Sequence, residues 1–180
     1  TSSFTTGSAN IDIDNATGNG LTGAVSFTTT GTGDVTFDNG TTAINLGTVS
    51  VGQNLEVQSG GAITDSGIIT VGGTASFTTD LSDKPITINS QNAISGQVTF
   101  STTGTDGDVN FDNGATAISL GVISTGDIGG DLILQTDVAT TISNAITMNG
   151  SGGALSITVD NGNSLNVQAA LITNAGAITL

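Results

Sequence analysis

The chain has 180 residues, enough for one ordinary domain or for a run of repeats without a globular core. It holds 27 Gly and one Pro, lacks Cys, His, Trp and Tyr, and is only 9% charged; this excludes a disulfide framework, while its density of Val, Ile, Leu and Phe excludes a disordered chain. Fifteen acidic residues against Lys84 alone give a net charge of −14, which excludes a nucleic-acid surface and argues against attraction to anionic membranes.

Along the chain, short apolar–polar–apolar triplets recur between Gly and Asn. They are Val25-Ser26-Phe27, Leu55-Glu56-Val57, Ala75-Ser76-Phe77, Val98-Thr99-Phe100, Leu132-Ile133-Leu134, Leu155-Ser156-Ile157 and Ile178-Thr179-Leu180, with further short strands at Ile69-Thr70-Val71 and Ile86-Thr87-Ile88. Alternation with period two predicts that the outer members point inward and the middle one faces solvent. Phe4 and the last residues of the main triplets stand at 4, 27, 57, 77, 100, 134, 157 and 180, in steps of 23, 30, 20, 23, 34, 23 and 23. Steps of this size suit one coil of a β-solenoid. The expectation is a single interior column of these eight residues in a rod roughly 34 Å long, at ~4.8 Å per coil.

A longer period contains the shorter one. Leu21-Thr-Gly-Ala-Val25-Ser-Phe27 returns further along as Ile94-Ser-Gly-Gln-Val98-Thr-Phe100. Asp34-Val-Thr-Phe-Asp-Asn-Gly40 returns as Asp108-Val-Asn-Phe-Asp-Asn-Gly114, and Ala43-Ile-Asn-Leu-Gly47 as Ala117-Ile-Ser-Leu-Gly121. No 3.6-residue periodicity persists, and Thr, Val, Ile, Gly and Asn are poor helix formers. The fold class is therefore all-β, a β-solenoid of about seven to eight coils of roughly 20–34 residues. It forms a single segment over 1–180, with long repeats at approximately 27–99 and 100–179. The chain starts and stops inside a repeat, so it reads as part of a longer one.

The stretch Asn54-Leu-Glu-Val-Gln-Ser-Gly-Gly-Ala-Ile-Thr-Asp-Ser-Gly-Ile-Ile-Thr-Val-Gly-Gly-Thr-Ala-Ser-Phe-Thr-Thr79 resembles the repeats of filamentous-haemagglutinin-type exoproteins, and the likeness extends over essentially the whole chain. Those are large bacterial adhesins secreted by the two-partner route. The resemblance implies a right-handed parallel β-helix and a location outside the cell or on the bacterial surface. It is specific for architecture, since such repeats also serve biofilm-matrix, toxin and host-binding proteins. Nothing in the chain is similar to that family's amino-terminal secretion domain.

Candidate sites are few. The segments Asp34–Leu46 and Asp108–Leu120 fall in the two longest steps, and their Asn-Gly pairs signal tight turns. They either project from the rod as recognition loops or add a strand to the coil. Asp34, Asp38, Asp108 and Asp112 carry the oxygen chemistry that calcium needs, but the two pairs are expected three coils apart, which favours solvated turn carboxylates. Asp12 with Asp14, or Asp80 with Asp83, has the composition of a glycosidase pair. However, the chain offers no Arg or His, and its one Lys precedes Pro85 in a predicted loop. Thr28-Thr29-Thr30, Thr78-Thr79 and Thr102-Thr103 raise ice binding without repeating at one coil position. Asn15-Ala16-Thr17 matches a glycosylation acceptor pattern.

The sequence accordingly assigns no catalytic, cofactor-binding or metal-ligating residue and no cofactor, with surface Ca²⁺ as the one open case, and it reads as a non-enzyme. The expected role is a rigid stalk in cell adhesion or biofilm; the alternative is a self-assembling filament, matrix or sheath subunit. Expected partners are neighbouring copies or repeats through the solenoid ends, with cell-surface glycans or a host surface as further candidates. Neither nucleic acid nor membrane insertion is expected.

Overall fold

The computed structural model describes residues 1–15, 18–123, 127–148 and 152–180. Among these, regular structure consists of short strands, and every registered strand pair is parallel. The chain forms a β-solenoid of about seven turns. Strands fall on three walls, and those of one wall stack coil upon coil. The first wall holds Ser2–Thr5, Ala24–Thr28, Ile69–Val71, Ala93–Ile94, Thr140–Ile142 and Leu165–Val167. The second holds Ile11–Asp14, Val35–Asp38, Leu55–Ser59, Ala75–Ser82, Gln97–Thr103, Ser119–Leu120, Ile146–Met148 and Leu171–Thr173. The third holds Ile63–Asp65, Ile86–Ile88, Val109–Asp112, Leu132–Thr136, Leu155–Val159 and Ile178–Thr179. The strand Ile44–Val51 turns a corner: Ile44 pairs with Ile63 on the third wall and Val49 with Ile69 on the first.

Alternation is obeyed within the stack. Val25 and Phe27 are buried and Ser26 is not; Ile69 and Val71 are buried around an exposed Thr70. On the second wall Ile11, Val35, Leu55, Ala75, Val98 and Leu120 align. On the third, Ile44, Ile63, Ile86, Val109, Leu132, Leu155 and Ile178 align. Fully burying a Val, Leu or Ile of these columns contributes about 1.5–3 kcal/mol; Ile178, in the last coil, is exposed.

The interior column differs from the one expected. Phe27 pairs with Val49, while Val57 lies between Phe37 and Phe77 on another wall. Likewise Leu134 pairs with Phe111 and not with Phe100, whose partner is Phe77. The two longest steps, from Phe27 to Val57 and from Phe100 to Leu134, each combine one coil with one corner, so coils of that length do not exist. Registered partners are nearest in sequence at Ile44 and Ile63, and farthest apart, equally, at Thr140 and Leu165 and at Ile146 and Leu171. The cause is physical: a buried-exposed-buried triplet has the same pattern on every wall, and only the corner between triplets says which wall follows.

This register explains the long repeat. Val25 and Phe27 belong to the first wall, and their copies Val98 and Phe100 to the second. Phe37 is on the second wall and its copy Phe111 on the third. One long period is thus three turns plus one wall, and the second copy is rotated by a third of a turn. Local packing survives the rotation. Phe4 stacks on Phe27 with ring centroids 5.6 Å apart and planes at 18°, and Phe27 tilts against Phe37 at 5.2 Å and 55°. Phe77, Phe100 and Phe111 repeat the arrangement at 5.9 Å and 18°, then 5.3 Å and 58°.

Glycine lets corners stack as closely as strands do. A Cβ on Gly52 would run into the carbonyl oxygen of Gly31 in the preceding coil, and one on Gly153 into that of Gly130. No L side chain fits there without separating the coils.

Phe77 is fully buried, whereas Ser76 beside it is partly exposed. Phe77→Asp is expected to abolish cooperative folding by burying an unpaired charge, while Ser76→Ala should shift stability by less than about 0.5 kcal/mol. Urea unfolding followed by circular dichroism checks both, and a Phe77→Asp protein melting like the parent would reject the register.

Candidate functional site

The positions where polar chemistry concentrates are the corners, because strand-to-strand hydrogen bonding has to continue where the backbone turns away. The sequence Asp38-Asn39-Gly40 forms such a corner between the second and third walls. Gly40 adopts φ +62°, in the left-handed region, and its N–H donates to Asp38 Oδ1 at 2.7 Å. This turn aims the Asn39 side chain inward, where it is completely buried. Its Oδ1 accepts from the Leu21 N–H at 2.8 Å, and its Nδ2 donates to the carbonyls of Leu21, Thr42 and Ala43 at 3.0 Å each. An Asn amide therefore takes the place of a neighbouring strand for Leu21.

Asp112-Asn113-Gly114 repeats the device at the corner between the third and first walls. Gly114 has φ +51° and donates to Asp112 Oδ1 at 2.7 Å. Asn113, fully buried, accepts from the Ile94 N–H at 2.9 Å and donates to the Ile94 and Ala117 carbonyls at 3.1 Å. Asn92 does related work: its Oδ1 accepts from the Ile69 N–H at 2.7 Å and its Nδ2 donates to Asp65 Oδ2 at 2.9 Å. As a turn signal, Asn-Gly does not disclose a buried amide. Only its recurrence beside Asp in both copies points to one.

Carboxylates serve the outer corners. Asp34 Oδ1 accepts from the backbone N–H and the Nδ2 of Asn54, both at 3.0 Å, and Asn54 Oδ1 in turn accepts from the Thr74 N–H at 2.9 Å. Asp108 accepts from the Asp131 N–H at 2.8 Å, and Asp131 from the Ala154 N–H at 2.7 Å. Each acid ties its coil to the next by a charge-assisted bond. Asp83 is fully exposed and accepts from the N–H groups of Thr105 and Asp106 at 2.8 and 3.1 Å. These two bonds, with Lys84 nearby, hold its carboxyl below the ordinary value of 3.8.

The remaining expected sites are placed as follows. Asp34–Leu46 and Asp108–Leu120 lie flush in the walls as strands and corners; neither projects as a loop. Asp34 and Asp38 flank a second-wall strand and Asp108 and Asp112 a third-wall strand, so the two pairs do not stack above one another. They are engaged turn acids, not merely solvated ones. Among the described residues no three carboxylates converge on a point that could hold a metal ion. Asp12 and Asp14 share an exposed face, with the Asp14 N–H 3.4 Å from Asp12 Oδ1. Asp80 accepts from Gln58 Nε2 at 2.9 Å, and the Lys84 carbonyl accepts from the Thr79 hydroxyl at 2.9 Å.

One Thr of each Thr run points inward. Thr29 donates to the Gly33 carbonyl at 2.9 Å, and Thr102 to that of Gly107 at 2.6 Å. Ala16 and Thr17 of the acceptor pattern lie outside the described residues.

Residues 32–101 match a family described as repeats of unknown function (DUF5649). The matched span is close in length to the long internal period, which makes that family similar to one long repeat of this protein. No curated protein and no solved structure matches.

The Asp112 carboxyl is pushed above 3.8 by burial, with the negative charges of Asp137, Asp160 and Asp65 adding to the effect against the opposing bond from Gly114. The folded state therefore holds this proton more tightly than the unfolded chain. Its contribution to stability is fully present below the ordinary Asp range and is lost as pH rises through the folded value. Asp112→Asn keeps an acceptor for Gly114, so it is expected to raise the thermal midpoint at neutral pH. That advantage should vanish on acidification below the ordinary Asp range, and a midpoint difference independent of pH would refute the assignment. Asn113→Ala leaves the buried N–H and carbonyl of Ile94 without this partner and should cost at least about 2 kcal/mol in urea unfolding.

Proposed function

We propose that this protein is a rigid structural segment, a stalk within a secreted bacterial surface protein acting in cell adhesion or biofilm. The supporting observation is the recurrent use of its polar side chains between coils. Asp34, Asp83, Asp108, Asp131 and the buried Asn39, Asn92 and Asn113 all bond one coil to another, so the chemistry that would form a binding site instead stiffens the rod. A solenoid of this kind resists bending because every coil is bonded to both neighbours through backbone and side chains. The extracellular location and the adhesive part of the reading rest on the resemblance of Asn54–Thr79 to filamentous-haemagglutinin-type repeats. No catalytic step is assigned to it. Its partners are the adjoining repeats of the same protein.

Electron microscopy of the purified protein at low and high concentration, with and without calcium, tests the reading. A stalk segment is expected as short rods of constant length under all four conditions. Long unbranched filaments growing with concentration would replace it with a self-assembling fibre subunit, and filaments only with calcium would assign the acidic corners to cation-bridged assembly.

A further inference from the structure

Asn followed by Gly is the most reactive pair in a polypeptide toward spontaneous deamidation, because an unbranched Gly lets its backbone nitrogen reach the Asn side chain. The Gly nitrogen attacks Cγ of Asn and forms a new bond to it. The bond from Cγ to Nδ2 breaks, and ammonia leaves carrying the proton from the Gly nitrogen. Water then opens the resulting succinimide at either carbonyl, giving Asp or isoaspartate. Both reacting atoms must be free to approach each other.

The corner geometry denies that approach at two of these pairs. At Asn39-Gly40 the electrophilic amide is held by four hydrogen bonds to Leu21, Thr42 and Ala43, and the nucleophilic Gly40 N–H is directed at Asp38 Oδ1. At Asn113-Gly114 the amide is held by Ile94 and Ala117, and the Gly114 N–H by Asp112. In both, the neighbouring carboxylate further disfavours the deprotonated nitrogen that reaction requires. Asn161-Gly162 is the opposite case. Both residues are exposed, Asn161 has φ +59°, and its side chain makes no hydrogen bond among the described residues.

We propose that Asn161 is a deamidation site of the folded protein, whereas Asn39 and Asn113 are sealed by the fold and become modification sites only in the unfolded chain. There the reaction sets the time for which the protein stays able to fold. An Asp at position 39 cannot donate to three carbonyls and would set a carboxylate against them; isoaspartate would also lengthen the backbone inside a buried corner. The modified protein therefore loses the side chain that completes the adjoining coil. The inference is independent of the stalk reading and holds for any cellular role.

The test incubates the intact protein in mildly alkaline buffer, folded in one arm and in urea in the other, and maps Asn, Asp and isoaspartate by peptide mass spectrometry over time. Peptides separate these positions from Asn19-Gly20, whose amide is tied to the Ile13 and Asp38 carbonyls, and from Asn149-Gly150, outside the described residues. In the folded arm Asn161 should react, and Asn39 and Asn113 should react slower than in urea by about a hundredfold or more, as when reaction needs global opening. In the urea arm all three should react at similar rates. On dilution, refolded yield should fall in step with modification at Asn39 and Asn113, with Asn161 modified equally in refolded and misfolded fractions. Reaction of Asn39 or Asn113 in the folded arm at the rate of Asn161 would overturn the sealing. Recovery of Asn39-modified protein in the refolded fraction, or an Asn39→Asp variant that refolds like the parent, would overturn the consequence for folding.

Discussion

Everything in this molecule depends on continuing a parallel hydrogen-bond ladder around corners. A buried backbone N–H or C=O left without a partner costs about 1–3 kcal/mol, and a three-walled solenoid turns three corners in every coil. Strands satisfy themselves by stacking. Corners are satisfied in part by backbone bonds between stacked glycines, such as Gly60 N–H to the Gly40 carbonyl and Gly96 N–H to that of Gly73, and in part by side chains, and the composition follows from that requirement. Asn supplies a donor and an acceptor on one short arm, so Asn39 and Asn113 replace a strand inside the coil. Asp supplies acceptors for amides of the next coil at the outer edge. Buried hydroxyls such as Thr29 and Thr102 close the turns that follow their strands.

The large negative charge becomes intelligible in these terms. With one Lys among 180 residues most acids have no cation to pair with; several, Asp34, Asp83, Asp108 and Asp131 among them, are paired with backbone amides, and Asp80 with the Gln58 side chain. That arrangement keeps the surface acidic while carboxylates such as Asp34, Asp83, Asp108 and Asp131 each contribute a directed bond. The exception is Asp112, where burial and three neighbouring acids act against the charged form. It is the point at which the acidic surface and the buried corner compete.

The one-third turn between long repeats has a structural consequence. Equivalent residues appear on successive walls, so a given surface feature winds around the rod and does not form a stripe. The phenylalanine triads tolerate this because a three-walled core offers the same environment at each corner, as their matching angles show.

Length and alternation alone determined that this protein is an all-β solenoid: triplets such as Val25-Ser26-Phe27 and Ile86-Thr87-Ile88 are local signals, since period-two burial is written into neighbouring residues. The wall to which each triplet belongs was decided only in three dimensions. By spacing Val57 belongs above Phe27, yet it stacks on Phe37, because the intervening corners, not the strands, set the rotation. The same holds for the corner acids and amides. Asp38-Asn39-Gly40 and its copy stand out in sequence as a turn motif, and the Asp38 and Asp112 bonds to the following Gly are local, yet Asp34, Asn39 and Asn113 also bond to Asn54, Leu21 and Ile94, a full coil away, and those bonds exist only when coils are stacked. Local pattern selects strand and turn; partner identity belongs to the assembled coil.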